Sequence, residues 1–402
     1  MRKISRGTFG LALFTALALT AQTLAGASES SSSESPHGDY PTTGSSAIDA
    51  ASAAAAASSL SSDVPLSSGP AVSSSELAEG PLGSALYELN SSLGSSDVSQ
   101  TFPSENAGVG EFRGIRHLEG DVYEFDVYSP SMDRIVTNDI YLPGGPDNTA
   151  ERPTFYLMMG ADGARGGWSW YNSSNYQEFF ADKLVNVVTP KGATSSMQAD
   201  WYRFDPTTGD NKWTTYMTKE LPPLVDDLFH GTGQDAIGGI SMSGGPAIEL
   251  ASLEPARFRA AASYSGCPST TGVAGQAFAR FALSLNDADP DNMWGGSSDP
   301  AWAAHSPVLH LDRLQNTEVF VGAAQGTPGP VDGPDYSSRV GNPQAGIEAA
   351  SYVCSSHFVD RAREAGVSVE FYPLAEGTHT WGLFEDQMRR SWTTTIGPAL
   401  GF

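Results

Sequence analysis

The chain has 402 residues, 40% of them hydrophobic, with 43 glycines and 26 prolines, enough for one large α/β domain or two ordinary ones. A formal net charge of −24 argues against a phosphate-binding surface and so against nucleic acid as a partner. Neither quantity decides the fold, which has to come from the order of elements.

The N-terminus combines a basic stretch (Arg2, Lys3, Arg6), an apolar run from Phe9 to Ala21 and an A-x-A site at Ala25-Gly26-Ala27. The run is too short to span a bilayer comfortably, so residues 1–27 are expected to be a signal peptide and the mature protein to be exported. Residues 28–107 are rich in Ser, Ala, Gly and Pro, and no Lys or Arg occurs between Ser28 and Glu111. Such a segment buries too little apolar surface to offset its ordering entropy. It is expected to be a disordered acidic linker, with transient helices at Ile48–Leu60 and Leu82–Leu93 and a role as spacer. In an exported chain the two cysteines, Cys267 and Cys354, are expected to form one disulfide.

Residues 108–402 read as a single α/β domain. Alternation over Val122–Tyr128 and Ile135–Tyr141 predicts two antiparallel strands. Short apolar runs follow at Thr154–Gly160 and Lys183–Pro190, then a helix over Trp213–Phe229 expected to break at Pro222 and Pro223. Further strands are predicted at Asp235–Ile240, Arg257–Gly266, Thr317–Ala324 and Val367–Leu374, with helical stretches between them such as Ala345–Ala365. The βαβα rhythm implies a mostly parallel central sheet with helices on both faces.

The chemistry centres on Gly238–Gly245, "GGISMSGG", which half-matches G-x-S-x-G in two registers. Strand phase favours Ser241: the predicted strand ends just before it, at the sheet edge where ligands of α/β folds bind, whereas Ser243 falls into the following helix. The next backbone N–H, of Met242, is then placed to act as an oxyanion donor. His379, between the last strand and the last helix, is the candidate base, because the order Ser…acid…His puts the base there. The acid is expected in the loop after Thr317–Ala324, at Asp332 ahead of Asp335; Glu318 lies at the wrong end of the strand and Glu348 on the next helix. The glycine-rich stretch Met158–Asn172 is expected to supply the second oxyanion donor, with Asp162 and Arg165 as hydrogen-bonding charges and Trp168 and Trp170 as flat surfaces suited to sugar faces. No metal-ligand or phosphate-loop spacing occurs, so neither a metal nor another cofactor is expected.

Several motifs in order resemble the antigen 85-type mycolyltransferases, an α/β-hydrolase family. The family's G-L-S-M-A-G appears as Gly239-Ile240-Ser241-Met242-Ser243-Gly244, and its D-G-L-R as Asp162-Gly163-Ala164-Arg165. Asn292–Leu314 resembles the S-M-W-G-x-S-S-D-P-A-W segment, and Gly377–Trp381 the family's G-T-H-S-W. The acidic tail and the cysteine spacing depart from the usual mycobacterial arrangement, and the family's Glu in G-T-P-x-E maps to Asp332 only through a two-residue insertion.

The resemblance implies ping-pong transfer of a mycolyl group from trehalose monomycolate, through an acyl-enzyme on Ser241, to trehalose, arabinogalactan or another hydroxyl acceptor. It implies an oxyanion hole of Met242 and Ala164, and sugar contacts from Asp162, Arg165, Asn172 and Trp381. It also implies work at the cell envelope, on a lipid surface and cell-wall glycan. A carboxylesterase with the same triad, and a non-catalytic envelope adhesin on the same fold, are the competing expectations.

Overall fold

The computed structural model describes residues 98–402. The expected signal peptide, both transient helices and most of the expected linker lie outside these residues. The linker's last part, however, is packed. A 3-10 turn at Val98–Thr101 buries Thr101, whose Oγ1 lies 2.7 Å from Nε2 of the fully buried His305. The His305 ring is stacked between Phe102 (4.3 Å between centroids) and Trp294 (4.5 Å), and its Nδ1 bonds Glu249. The boundary expected at residue 107 therefore falls inside the packed body. Two side chains packed on a residue distant in the chain leave no periodicity in the sequence.

Nine strands form one sheet in the order β1-β2-β3-β5-β4-β6-β7-β8-β9. The strands β1 (Glu111–Glu119), β2 (Val122–Ser129) and β3 (Arg134–Tyr141) form an antiparallel meander, and β3 runs antiparallel to β5 (Asn186–Pro190). From β5 onward the strands are parallel: β4 (Thr154–Met158), β6 (Asp235–Ile240), β7 (Phe258–Tyr264), β8 (Glu318–Thr327) and β9 (Val369–Glu376). Every residue of β4, β5 and β6 is buried, as strands covered on both faces require. The edge strand β1 is not among the predicted strands: none of its residues is buried and no apolar alternation marks it.

Helices cover both faces. Tyr156, Met158, Ile237 and Val319 face a core shared with α1 (Leu221–Phe229) and α2 (Gly244–Leu253). Phe155, Leu157, Ala236 and Phe320 face the other, closed by Phe384 and Met388. Alternate residues of one strand thus serve opposite cores. The helix expected to break at its prolines runs on instead: a π-helical turn at Tyr216–Glu220 leads directly into α1, where Pro222 and Pro223 follow Leu221, so the wider turn falls just before the two residues that lack an N–H. The remaining helices that position the site are α3 (Gly272–Ser284), α4 (Pro343–Glu364) and α5 (Trp381–Ser391). Among the described residues no helix is long and apolar enough to cross a membrane.

Candidate active site

Strand β6 ends at Ile240, and Ser241 follows in the left-handed region at φ 55°. A non-glycine residue held there is strained, and the strain fits a sharp strand-to-helix turn that projects one side chain over the sheet edge. The turn closes only because its neighbours are small. A Cβ on Gly239 would stand 2.2 Å from the Ser243 carbonyl oxygen, and one on Gly244 would stand 2.5 Å from Ser263 Oγ. Ser243 is buried, as the chosen register requires, but it does more than pack. Its hydroxyl donates to the Met159 carbonyl and accepts from Gln198 Nε2 at 3.1 Å, tying the elbow to the end of β4.

Ser241 Oγ lies 2.8 Å from His379 Nε2, and His379 Nδ1 lies 2.8 Å from Glu348 Oε2. The histidine sits on the turn between β9 and α5, where its backbone N–H donates to the Gln344 carbonyl at 3.2 Å. Glu348 is fully buried in the second turn of α4, and its other oxygen accepts from Ala324 N–H and Ser265 Oγ, each at 2.8 Å. With Nδ1–H donating to Oε2 of Glu348, Nε2 is left to accept the serine proton.

The carboxylate on the histidine is therefore Glu348, and neither Asp332 nor Asp335 touches the ring. Asp332 is buried beneath the histidine loop. It accepts from Gly329 N at 3.0 Å, from Thr378 N and Thr378 Oγ1 at 2.9 Å, and from Thr380 Oγ1 at 2.8 Å. It thus grips the residues on either side of His379. Asp335 is exposed at the start of a 3-10 turn, its carbonyl accepting from Ser338. Glu348 lies among Ala345, Ala349, Ser355, Phe358, Val359 and Ala362 on the buried side of α4, a side that the weak apolar periodicity of this helix does not mark in the sequence.

The loop after β4 closes the site from the other side. A Cβ on Gly160 would meet Ser241 Cβ at 3.4 Å, so this loop lies directly against Ser241. Gly163 and Ala164 both have positive φ, 59° and 67°, and a Cβ on Gly163 would stand 2.8 Å from Thr194 N. Asp162 and Arg165 are exposed, with Asp162 Oδ2 accepting Gly166 N–H at 2.8 Å. Asn172, expected to contact sugar, is instead turned onto its own loop: Oδ1 accepts from Ser169 N and Ser173 Oγ at 2.8 Å, and Nδ2 donates to the Gly167 carbonyl. Trp381 stands at the start of α5, edge-on to Trp170 with ring centroids 5.4 Å apart.

Cys267 and Cys354 are joined in a disulfide, with Cα atoms 5.1 Å apart. The bond ties α4, beyond Glu348, to the segment after β7. The backbone of that segment crowds α2, where a Cβ on Gly245 would meet the Cys267 carbonyl at 2.4 Å.

An elbow serine, a histidine and a buried carboxylate joined by hydrogen bonds at the carboxyl edge of such a sheet define a protein of the serine-esterase type on the α/β-hydrolase fold. Residues 129–393 match the putative esterase family. The diacylglycerol acyltransferase/mycolyltransferase Ag85C of Mycobacterium avium is 31% identical over 276 residues, covering 65% of this chain and 73% of its own. The Ag85B protein of Mycolicibacterium smegmatis, with the same description, is 30% identical over 280 residues, covering 65% and 81%. The crystal structure of Mycobacterium tuberculosis MPT51 (FbpC1) superposes with a TM-score of 0.54 at 27% identity, covering 68% of this chain and 96% of that one. The chain belongs to the antigen 85-type mycolyltransferase family and is an enzyme with a mycolyl-transferring or esterase activity.

Proposed function

We propose that the protein is an exported mycolyltransferase working through an acyl-enzyme on Ser241. The observation that carries the reading is the unbroken hydrogen-bond chain Ser241–His379–Glu348, with 2.8 Å at each step. Ser241 Oγ attacks the ester carbonyl of trehalose monomycolate while His379 Nε2 takes its proton, and Glu348 holds the imidazolium that forms. Backbone N–H groups of Met242 and Ala164 stabilise the tetrahedral oxyanion; among the described residues no hydrogen bond engages Ala164 N–H. Collapse breaks the ester bond, trehalose leaves with the proton from His379, and the mycolyl group stays on Ser241. An acceptor hydroxyl then gives its proton to His379 and attacks the acyl carbonyl; the bond to Ser241 Oγ breaks, and His379 returns the proton to that oxygen.

Asp162 and Arg165, exposed on the loop against the nucleophile, are the sugar-binding charges of this reading, with Trp381 lining the same site. Asn172 has no part in it, because its amide is spent on its own loop. Export rests on the N-terminal signal sequence, and the envelope lipid surface and its glycan are the expected surroundings.

Esterase action differs only in that water takes the acyl group. Incubation with trehalose monomycolate separates the two. Dimycolate or mycolylated acceptor, together with a mycolyl adduct mapped to Ser241, is the expected result. Free mycolate without either product would assign a hydrolase.

A further inference from the structure

The loop after β5 bridges the two backbone segments proposed above to form the oxyanion hole. On one side it grips the segment that carries Ala164. Gly192 N–H donates to the Gly163 carbonyl at 2.8 Å, Thr194 Oγ1 to the Asp162 carbonyl at 3.1 Å, and Ser195 N–H to the Ala161 carbonyl at 2.9 Å. On the other side it grips the elbow. Met197 N–H lies 3.4 Å from Met242 Sδ, and Gln198 Nε2 donates to Ser243 Oγ at 3.1 Å. One short stretch, 192–198, thus spans from the first proposed donor to the second.

The end of this stretch is held in an unfavourable state. Ser195, Met197 and Gln198 all lie in the left-handed region, at φ 44°, 54° and 50°, and such strain in residues other than glycine gathers at working sites. Gln198 is buried, and among the described residues nothing donates to its Oε1. Packing alone would favour an apolar side chain of the same length there. What the amide adds is one bond. Ser243 Oγ gives its proton to the Met159 carbonyl, so it can only accept from Gln198, and the amide must face it with its NH2. The two bonds run in series from Gln198 through Ser243 to Met159, the residue that follows β4 and opens the Ala164 loop. An alanine, which the family's G-L-S-M-A-G carries in place of Ser243, could make neither.

We infer that Gln198 is a positioning residue of the oxyanion hole: acting through Ser243, its amide holds the elbow, and with it Met242 N–H, at a fixed distance from the loop that presents Ala164 N–H. The inference rests on the assignment of those two donors above. It does not depend on the fate of the acyl group, because the same oxyanion forms whether a sugar or water takes it. A displaced donor weakens a bond made in the transition state and leaves ground-state binding nearly unchanged.

Gln198→Met in the full-length protein keeps the length of the side chain and removes the amide. The readouts are kcat and KM on a soluble nitrophenyl ester, the urea unfolding midpoint, and inhibition by phenylboronic acid, whose adduct on Ser241 puts an oxygen where the oxyanion forms. We expect kcat to fall about tenfold with KM little changed, and the boronic acid to bind about tenfold more weakly. The urea midpoint should hold or rise, because a buried oxygen without a donor is gone. Gln198→Asn suits the left-handed region better and stops one carbon short of Ser243, so it should show the same two losses. In Gln198→Met combined with Ser243→Ala, kcat should be no lower than in the weaker single variant, since both changes break one series. Native kcat in folded Gln198→Met, a loss confined to KM, unchanged boronic acid affinity, or losses that multiply in the double variant would each overturn the inference. A native enzyme that turns over the ester but does not bind the boronic acid would instead overturn the donor assignment, and the inference with it.

Discussion

Glu348 Oε2 lies 2.8 Å from His379 Nδ1, although the two residues belong to different elements, α4 and the turn before α5. The carboxylate fixes which ring nitrogen carries the proton, so replacing it with an amide of the same shape should leave the fold and damage the chemistry. Glu348→Gln is expected to lower kcat by about a thousandfold or more with KM little changed, measured on a soluble nitrophenyl ester. Activity surviving at wild-type level would remove Glu348 from the catalytic chain.

Asp332 acts on the same histidine from below, through the backbone and side chains of Thr378 and Thr380. Removing its carboxylate leaves several buried donors without an acceptor, at a cost of about 1–3 kcal/mol for each group that water does not reach. Asp332→Ala should therefore lower the melting temperature and reduce kcat by about ten- to a hundredfold, less than Glu348→Gln does. If the two residues act through one imidazole, the double variant should be little worse than Glu348→Gln alone. Losses that multiply would show that Asp332 does not act through His379.

These two carboxylates mark where sequence reasoning stopped. The rhythm of strands and helices, the Ser241 register and the place of His379 follow from local patterns: a strand ending at Ile240, a helix beginning soon after, a late loop histidine. The choice of acid depends on how far the excursion between β8 and α4 carries the chain, and no local pattern encodes that distance. Asp332 is nearer in sequence to the end of β8, yet the chain turns it under the histidine loop, while the second turn of α4 brings Glu348 up to the ring. The docked Thr101 and Phe102 escaped for the same reason, since their partner His305 lies some two hundred residues away. Strand β1 left no apolar pattern at all, being held by its ladder to β2 rather than by burial.

The two serines of the elbow separate cleanly by experiment. Ser241→Ala should abolish labelling by a fluorophosphonate probe, because that hydroxyl alone reaches His379. Ser243→Ala should still label at the same position. It should also lose about 1–3 kcal/mol of stability, because the Met159 carbonyl and Gln198 Nε2 both lose their partner. Labelling that disappears only with Ser243→Ala would overturn the register.

The disulfide closes a loop of 87 residues between the segment after β7 and α4, the helix that carries Glu348. Loop closure of that length stabilises by about 4.6 kcal/mol in the chain-entropy account. Cys267→Ser with Cys354→Ser should lower the unfolding midpoint in urea accordingly. Ester turnover at low temperature should largely persist, because Glu348 is also held by Ala324 and Ser265. Loss of turnover in folded protein would show that the bond is needed to place the acid.

Asp200 gives the chain a dependence of stability on pH that is separable from catalysis. Burial pushes its carboxyl up to about 6, against the opposing effects of its bonds from Thr215 Oγ1 and N–H and of Lys212 and His305 nearby. A group that holds its proton more tightly when folded than when unfolded destabilises the fold as it ionises. Stability from this residue is thus complete below pH 4, declines as pH rises to about 6 and is level beyond that. Asp200→Asn cannot ionise and keeps one oxygen for Thr215 N–H. The unfolding free energy of the native protein relative to this variant should therefore fall by about 2–3 kcal/mol between pH 4 and pH 7. Paired urea titrations across that range measure it, and a difference that does not change with pH would show that Asp200 does not carry the effect.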